Sequence, residues 1–193
     1  MQIMYEAKCG PKLYQAQGKG YDFPDLTNEL CHQCKGDYLQ RYGFYGRYLI
    51  TIGFEGEIII RRYYCRVCKK TISLLPSFCH PKRTYGTQAI MEFLKAFYEK
   101  IVTVCMAVLH IAATTGIECT RQLLLHYRKR IEKNINILIM EITEIYGLKT
   151  PPVTGEINHK KVRQLLPYIK KPLEDSLTIF QRTGTTYLTP TTK

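Results

Sequence analysis

The chain has 193 residues, 45% of them hydrophobic and 23% charged, which is too apolar for a disordered chain and enough for one domain or a few small modules. Lysine and arginine outnumber aspartate and glutamate by 28 to 16, so the formal charge is +12 and the expected partner is a polyanion. The longest uncharged run, 101–117, is shorter than a spanning helix needs and holds Thr103, His110, Thr114 and Thr115, so it reads as a buried helix.

In chain order, residues 1–30 are punctuated by Gly10-Pro11, Gly18, Gly20 and Phe23-Pro24 and read as an extended lead-in with at most one strand. Tyr48-Leu49-Ile50-Thr51-Ile52 and the run 58–64 are β-branched and aromatic, and the five residues from Gly53 to Glu57 between them predict a hairpin. Leu74-Leu75-Pro76 and His80-Pro81 break the chain before a helical half. There Ile90, Phe93, Leu94, Phe97 and Ile101 carry helical spacing. A second helix is expected over 104–113, stopped by Thr114-Thr115-Gly116. A third starts near Glu118, turns Cys119, Leu123, Leu124, Tyr127 and Ile131 inward, and continues or restarts at Asn134. Gly147 and Pro151-Pro152 end the helical part, and the polar stretch from Thr183 onward reads as disordered. The expected organisation is a lead-in (1–30), a cysteine-bearing segment (31–84), a helical domain (85–149) and a basic tail (150–193). Their net charges are −1, +7, +2 and +4, so the positive field is strongest among the cysteines.

The start, from Met1 to Lys8, lacks the basic-then-apolar design of a secretory signal, so the eight cysteines are expected to serve metal ligation before disulfides. Cys31-His32-Gln33-Cys34 and Cys65-Arg66-Val67-Cys68 form two C-x-x-C knuckles flanking the hairpin. Two intervening residues let a tight turn aim both sulfurs at one ion, and two such turns complete a closed tetrahedral site, the arrangement of one structural zinc per chain. Gly36 suits a positive φ in the first turn, and Lys35, Arg66, Lys69 and Lys70 offset the thiolate charge. The alternatives are plain or redox-active thiols and a rubredoxin-like iron, against which the basic charge argues. Cys105 and Cys119 fall on apolar helical faces and read as core. Cys9 has no partner motif, and Cys79-His80 is a loop pair that remains open as a further ligand.

The stretch 111–117 followed by a basic helix resembles a helix-turn-helix. Ala112 lets the helices approach, Gly116 permits a left-handed turn and Ile117 plugs the core. Gln122 stands where a core aliphatic is usual, so Leu123 or Leu124 must serve. Thr120, Arg121, Arg128, Lys129, Arg130 and Lys133 are the candidate DNA contacts of that helix, with Arg61, Arg62 and Arg66 on the hairpin side.

Together, residues 31–133 resemble the N-terminal leader of bacterial insertion-sequence transposases, a zinc ribbon followed by a helix-turn-helix, found also in small transposase-associated proteins of unknown function. The residues that carry the resemblance are the two knuckles with Arg62-Tyr63-Tyr64 before and Lys69-Lys70-Thr71 after the second. Leu74-Leu75-Pro76, Pro81, Tyr85 and Thr115-Gly116-Ile117 complete them. The resemblance implies an α+β chain, a small zinc ribbon and then a helix-turn-helix-like domain. It also implies recognition of a transposon end or related duplex DNA beside a separate catalytic transposase subunit, in the cytoplasm at the nucleoid and away from membranes.

A strand-transfer core of the integrase type needs two aspartates and a glutamate for its metal ions, and no aspartate lies between residues 38 and 174. The expectation is therefore a binding protein and not an enzyme. Two other classes stay open. One is RNA binding through Tyr42, Tyr45, Tyr48, Tyr63 and Tyr64, and the other is a zinc-ribbon adaptor for protein partners.

Overall fold

The hairpin sets the architecture. Its strands are longer than their apolar runs, β2 spanning Leu39–Thr51 and β3 Phe54–Cys65, so Gly53 to Glu57 is not a connecting loop: only Ile52-Gly53 turns the chain. The first half of β2 was hidden by its glycines and polar residues, and it carries an irregularity between Arg41 and Gly43. In this computed structural model residues 1–36, 39–99, 103–153, 155–184 and 186–188 are described. Among them the fold is mixed α+β, with a four-stranded sheet and six α-helices.

Leu74-Leu75-Pro76 does not break the chain. It ends β4 (Thr71–Pro76), which pairs antiparallel with β3 and parallel with β1 (Gln2–Tyr5), giving the order β1-β4-β3-β2. Leu74 and Leu75 project to opposite faces of the sheet and both are buried in the core packed on it, and Pro76 stands at the strand's end where a missing donor disturbs the ladder least. The lead-in is likewise structured. Pro11 opens helix α1 (Pro11–Gln17), a position proline favours, and buried Tyr14 donates its hydroxyl to the Ile59 carbonyl at 2.9 Å while its ring packs tilted against Tyr21.

The helical half is built from α2 (Thr87–Glu99), α3 (Val104–Thr115) and α4 (Arg121–Ile145), the last uninterrupted at Asn134. Helix α3 is not the buried helix expected. Only Ala107 and Ile111 are buried on it, while Cys105, Met106 and Leu109 face outward. Helix formation does not end at Pro151-Pro152 either: α5 (Asn158–Leu165) and α6 (Pro172–Thr183) follow. Val162, Leu165 and Ile179 enter the helical core, whereas Leu173, Leu177 and Phe180 pack on the sheet core, so α6 joins the two. Asp175 of α6 is buried and accepts hydrogen bonds from Tyr146 at 3.0 and 2.9 Å. Residues 150–184 are therefore no simple tail. Thr186, Tyr187 and Leu188 are buried as well, and the rest of the expected disordered end, 185 and 189–193, lies outside the described residues. Among the described residues, no helix is long and apolar enough to cross a membrane.

His80 closes the assembly. Fully buried in the loop after β4, it places Nε2 2.8 Å from the Thr186 hydroxyl and Nδ1 3.2 Å from the Pro81 carbonyl, while Asn134 of α4 donates to the Thr186 carbonyl at 3.0 Å. Burial, reinforced by Arg83 and Arg47 nearby, pushes His80 down to about 3. The unfolded chain protonates this ring near its ordinary value while the folded chain stays neutral, so stability falls as pH drops below about 6.5, by up to about 1.4 kcal/mol per pH unit. Urea unfolding of wild type and His80→Gln should check this. The variant is expected to be less stable at pH 7.5, and the gap should narrow by about 2 kcal/mol at pH 5 because one proton uptake has been removed from the slope.

Candidate functional site

The register of the hairpin brings the two knuckles together. Leu39 pairs with Cys65, so the chain entering β2 and the chain leaving β3 meet at one foot of the ribbon. The two turns share the backbone bond that closes them. The Cys31 N–H donates to the Gly36 carbonyl and the Cys65 N–H to the Lys70 carbonyl, each at 3.0 Å. Lys35 and Lys69, the residues after the second cysteine of each turn, have φ of 57° and 58°.

Within this frame the sulfurs of Cys31 and Cys68 lie 3.8 Å apart, those of Cys34 and Cys65 3.6 Å apart, and all four are within 4.8 Å of one another. A tetrahedron with metal–sulfur bonds of about 2.3 Å has edges of about 3.8 Å, so the four positions fit one thiolate-bound ion. Cys31 and Cys65 are buried, while Cys34 and Cys68 are more open. Burial opposes the Cys31 thiolate. The N–H groups of Cys34 and Gln33 and the neighbouring thiols of Cys34 and Cys65 outweigh it and bring Cys31 down to about 6. Gly36 has a different role from the one expected. Lys35 takes the positive φ, and Gly36 is needed because a Cβ there would stand 2.6 Å from Val67 Cγ2 in the facing knuckle.

Among the described residues no other group of this kind could hold an ion. Cys79 is fully buried, which pushes its thiol up to about 12, and His80 is occupied by Thr186, so neither joins the cluster. Cys9 is half-buried, and Cys105 is exposed instead of lying in the core. Cys119 is buried, but in the turn ahead of α4 and not on a helix.

The candidate DNA contacts divide by their surroundings. Gly116 ends α3 in the left-handed region at φ 69° and donates to the Ala112 carbonyl, and Ile117 is buried beneath the turn. Thr120 caps α4 by accepting the Leu123 N–H at 3.2 Å, so its oxygen serves the cap. Arg128 donates to Glu132 at 2.9 Å and lies over Phe97, which turns it inward. Arg121, Lys129 and Lys133 are exposed and Arg130 is half-exposed, and Leu124 is the aliphatic that fills the core beside exposed Gln122. On the hairpin, Arg61 lies over Phe44 and Tyr63, while Arg62 lies over Tyr42 and Tyr45 beside a stacked Tyr42–Tyr64 pair; Arg66 is exposed on the second knuckle. Tyr63 is not on the surface: it is buried and donates to the Pro24 carbonyl. Sequence reasoning passed over Arg47, Lys82 and Arg83, which the fold gathers between the hairpin and the loop after β4; the adjacent Lys82-Arg83 in the most basic segment was the available signal.

A family model described as a domain of unknown function, DUF6431, matches residues 31–109. That span starts at the first knuckle cysteine, contains all four ligand candidates and ends within α3. No curated protein and no solved structure matches the chain.

Elemental analysis of purified protein should find one metal equivalent per chain, and Cys65→Ser should lose it together with the folded hairpin foot, since metal binding and local folding are linked. Gly36→Ala should cost about 1–3 kcal/mol by overpacking against Val67, and adding Val67→Gly should restore the loss. Stoichiometric metal retained by Cys65→Ser would remove the four-cysteine assignment.

Proposed function

We propose that this chain is a zinc-containing protein that binds duplex DNA and performs no chemistry itself. In this reading the four cysteines form a structural zinc ribbon, and α3, the Gly116 turn and α4 act as a helix-turn-helix. Four thiolates suit zinc and leave it no open position for a reacting water, which supports a structural role for the ion. The observation that carries the reading is on α4. Arg121 stands exposed in its first turn and Lys129 and Lys133 further along, none of them with a carboxylate partner among the described residues. Residues at the start of a recognition helix reach base edges, and later ones meet phosphates. The resemblance to transposase leaders makes transposon ends, bound beside a separate catalytic subunit, the first DNA to try.

A second reading has an observation of its own. The stacked Tyr42–Tyr64 pair with Arg62 against Tyr42 and Tyr45 is a platform suited to unpaired bases, which favours RNA. Competition among duplex DNA, structured RNA and single strands separates the two, and binding to none of them favours a protein adaptor.

Affinity across a salt series, on a selected site and on random duplex, checks the helix. Lys129→Ala should weaken both about equally and shallow the salt dependence by about one unit, while Arg121→Ala should narrow the preference for the selected site by about 1–3 kcal/mol. Arg128→Ala should leave DNA affinity near wild type and lower the melting temperature, because its partners are Glu132 and Phe97. Parallel lines for all proteins on both DNAs would dismiss α4 as the reader.

A further inference from the structure

We propose that the concavity between the hairpin and the loop at 82–84 seats a backbone phosphate of nucleic acid, with Lys82 and Arg83 supplying the charge. This rests on the nucleic-acid reading above and adds a site that lies off the reading helix.

The concavity, about 320 Å³, is lined by Tyr45, Arg47, Tyr48, Lys82, Arg83 and Thr84. Its floor is fixed by backbone bonds: the Ile50 N–H donates to the Thr84 carbonyl at 3.0 Å and the Gly86 N–H to the Ile50 carbonyl at 2.8 Å. Arg47 donates from Nη2 to the His80 carbonyl at 2.6 Å and to the Arg83 carbonyl, so it holds the loop against β2. Lys82 is exposed on this loop at φ 59°.

None of these cations is neutralised. Arg47, Lys82, Arg83, Lys129 and Arg130 have no ion pair among the described residues, and Glu55 at the hairpin turn is held by the Tyr48 hydroxyl at 2.7 Å. The Arg83 Nε is buried without an acceptor, and its guanidinium faces the Tyr127 ring at 5.9 Å. On the preceding helical position His126 is held below its ordinary range by burial and then by the positive charges of Arg83, Arg130 and Lys129. Like charges gathered without counter-ions raise the folded state's energy, and an anion seated among them relieves it. The rings decide which anion. Tyr45 and Tyr48 line the same concavity as the cations, and the Tyr42–Tyr64 stack stands on the same hairpin; mixed rings and cations suit a nucleotide chain better than an acidic peptide, which would use the cations alone.

The test uses the full chain and a labelled random-sequence duplex, with single-stranded DNA and structured RNA in parallel. Lys82→Asn removes the charge at an exposed position whose positive φ asparagine tolerates, and Lys82→Glu reverses it; Lys19→Asn, at an exposed lysine elsewhere, is the control. All three should melt with wild type. Lys82→Asn should shallow the slope of log affinity against log salt by about 0.9 on duplex DNA, Lys82→Glu by more, and Lys19→Asn not at all. The same loss seen only on RNA supports this site and overturns the duplex reading. Wild-type slopes in both Lys82 variants overturn the site and leave the DNA reading standing, and a wild-type protein that binds none of the three nucleic acids overturns both.

Discussion

Four sulfurs within 4.8 Å of one another form the constraint on which the sheet is assembled. As thiolates they repel, so their approach requires a shared cation or protons on some of them, and meeting that requirement closes the foot of the β2–β3 hairpin. The second knuckle then delivers the chain at Thr71 directly into β4, the strand that both β3 and β1 need as a partner. A turn that holds Cys65 and Cys68 therefore also sets the register of the sheet's centre. Burial of Cys65 and Leu39 at that foot adds an apolar contribution to the same junction.

From the sheet the order passes to the helices through few contacts. Arg47 pins the loop that follows β4, His80 in that loop meets Thr186, and α6 sends Leu177 into the sheet core and Ile179 into the helical one. The acids of α4 are spent internally. Glu132 holds Arg128, and Glu141 and Glu144 hold Arg182 of α6. Of the cations on α4, Arg121, Lys129 and Lys133 are left facing outward in the first half of the helix, while the acids Glu141 and Glu144 lie in its second half, so the helix is electrically polarised along its length. That polarity, together with the unpaired cations of the loop after β4, gives the +12 charge a direction.

The parts of this architecture legible in the sequence were those whose signal is local. The C-x-x-C spacing marked the cluster because a tight turn needs no information from elsewhere in the chain. Ile90, Phe93, Leu94 and Phe97 marked α2 because helical spacing is written into a single segment. Gly116 marked the end of α3 for the same reason. What was misread depended on distant partners. Leu74-Leu75-Pro76 looks like a break until β1, some seventy residues earlier in the chain, lies beside it. Pro11 looks like punctuation until the Ile59 carbonyl is there to receive the Tyr14 hydroxyl, and Pro151-Pro152 looks like the end of the helical part until α6 has two cores to bridge.

The sequence by itself determined the α+β class, the four cysteines and the positive field, because composition, turn spacing and periodicity are properties of short stretches. Only the tertiary structure decided which of the cations remain free. Arg128 and Lys129 are adjacent and equally basic on paper, yet one is folded against Glu132 and Phe97 and the other faces solvent. The same packing drew Arg47 of β2 and Lys82 and Arg83 of the loop after β4 to one concavity. The availability of a charge depends on what lies within a few ångströms of it, and those neighbours come from segments far apart in the chain.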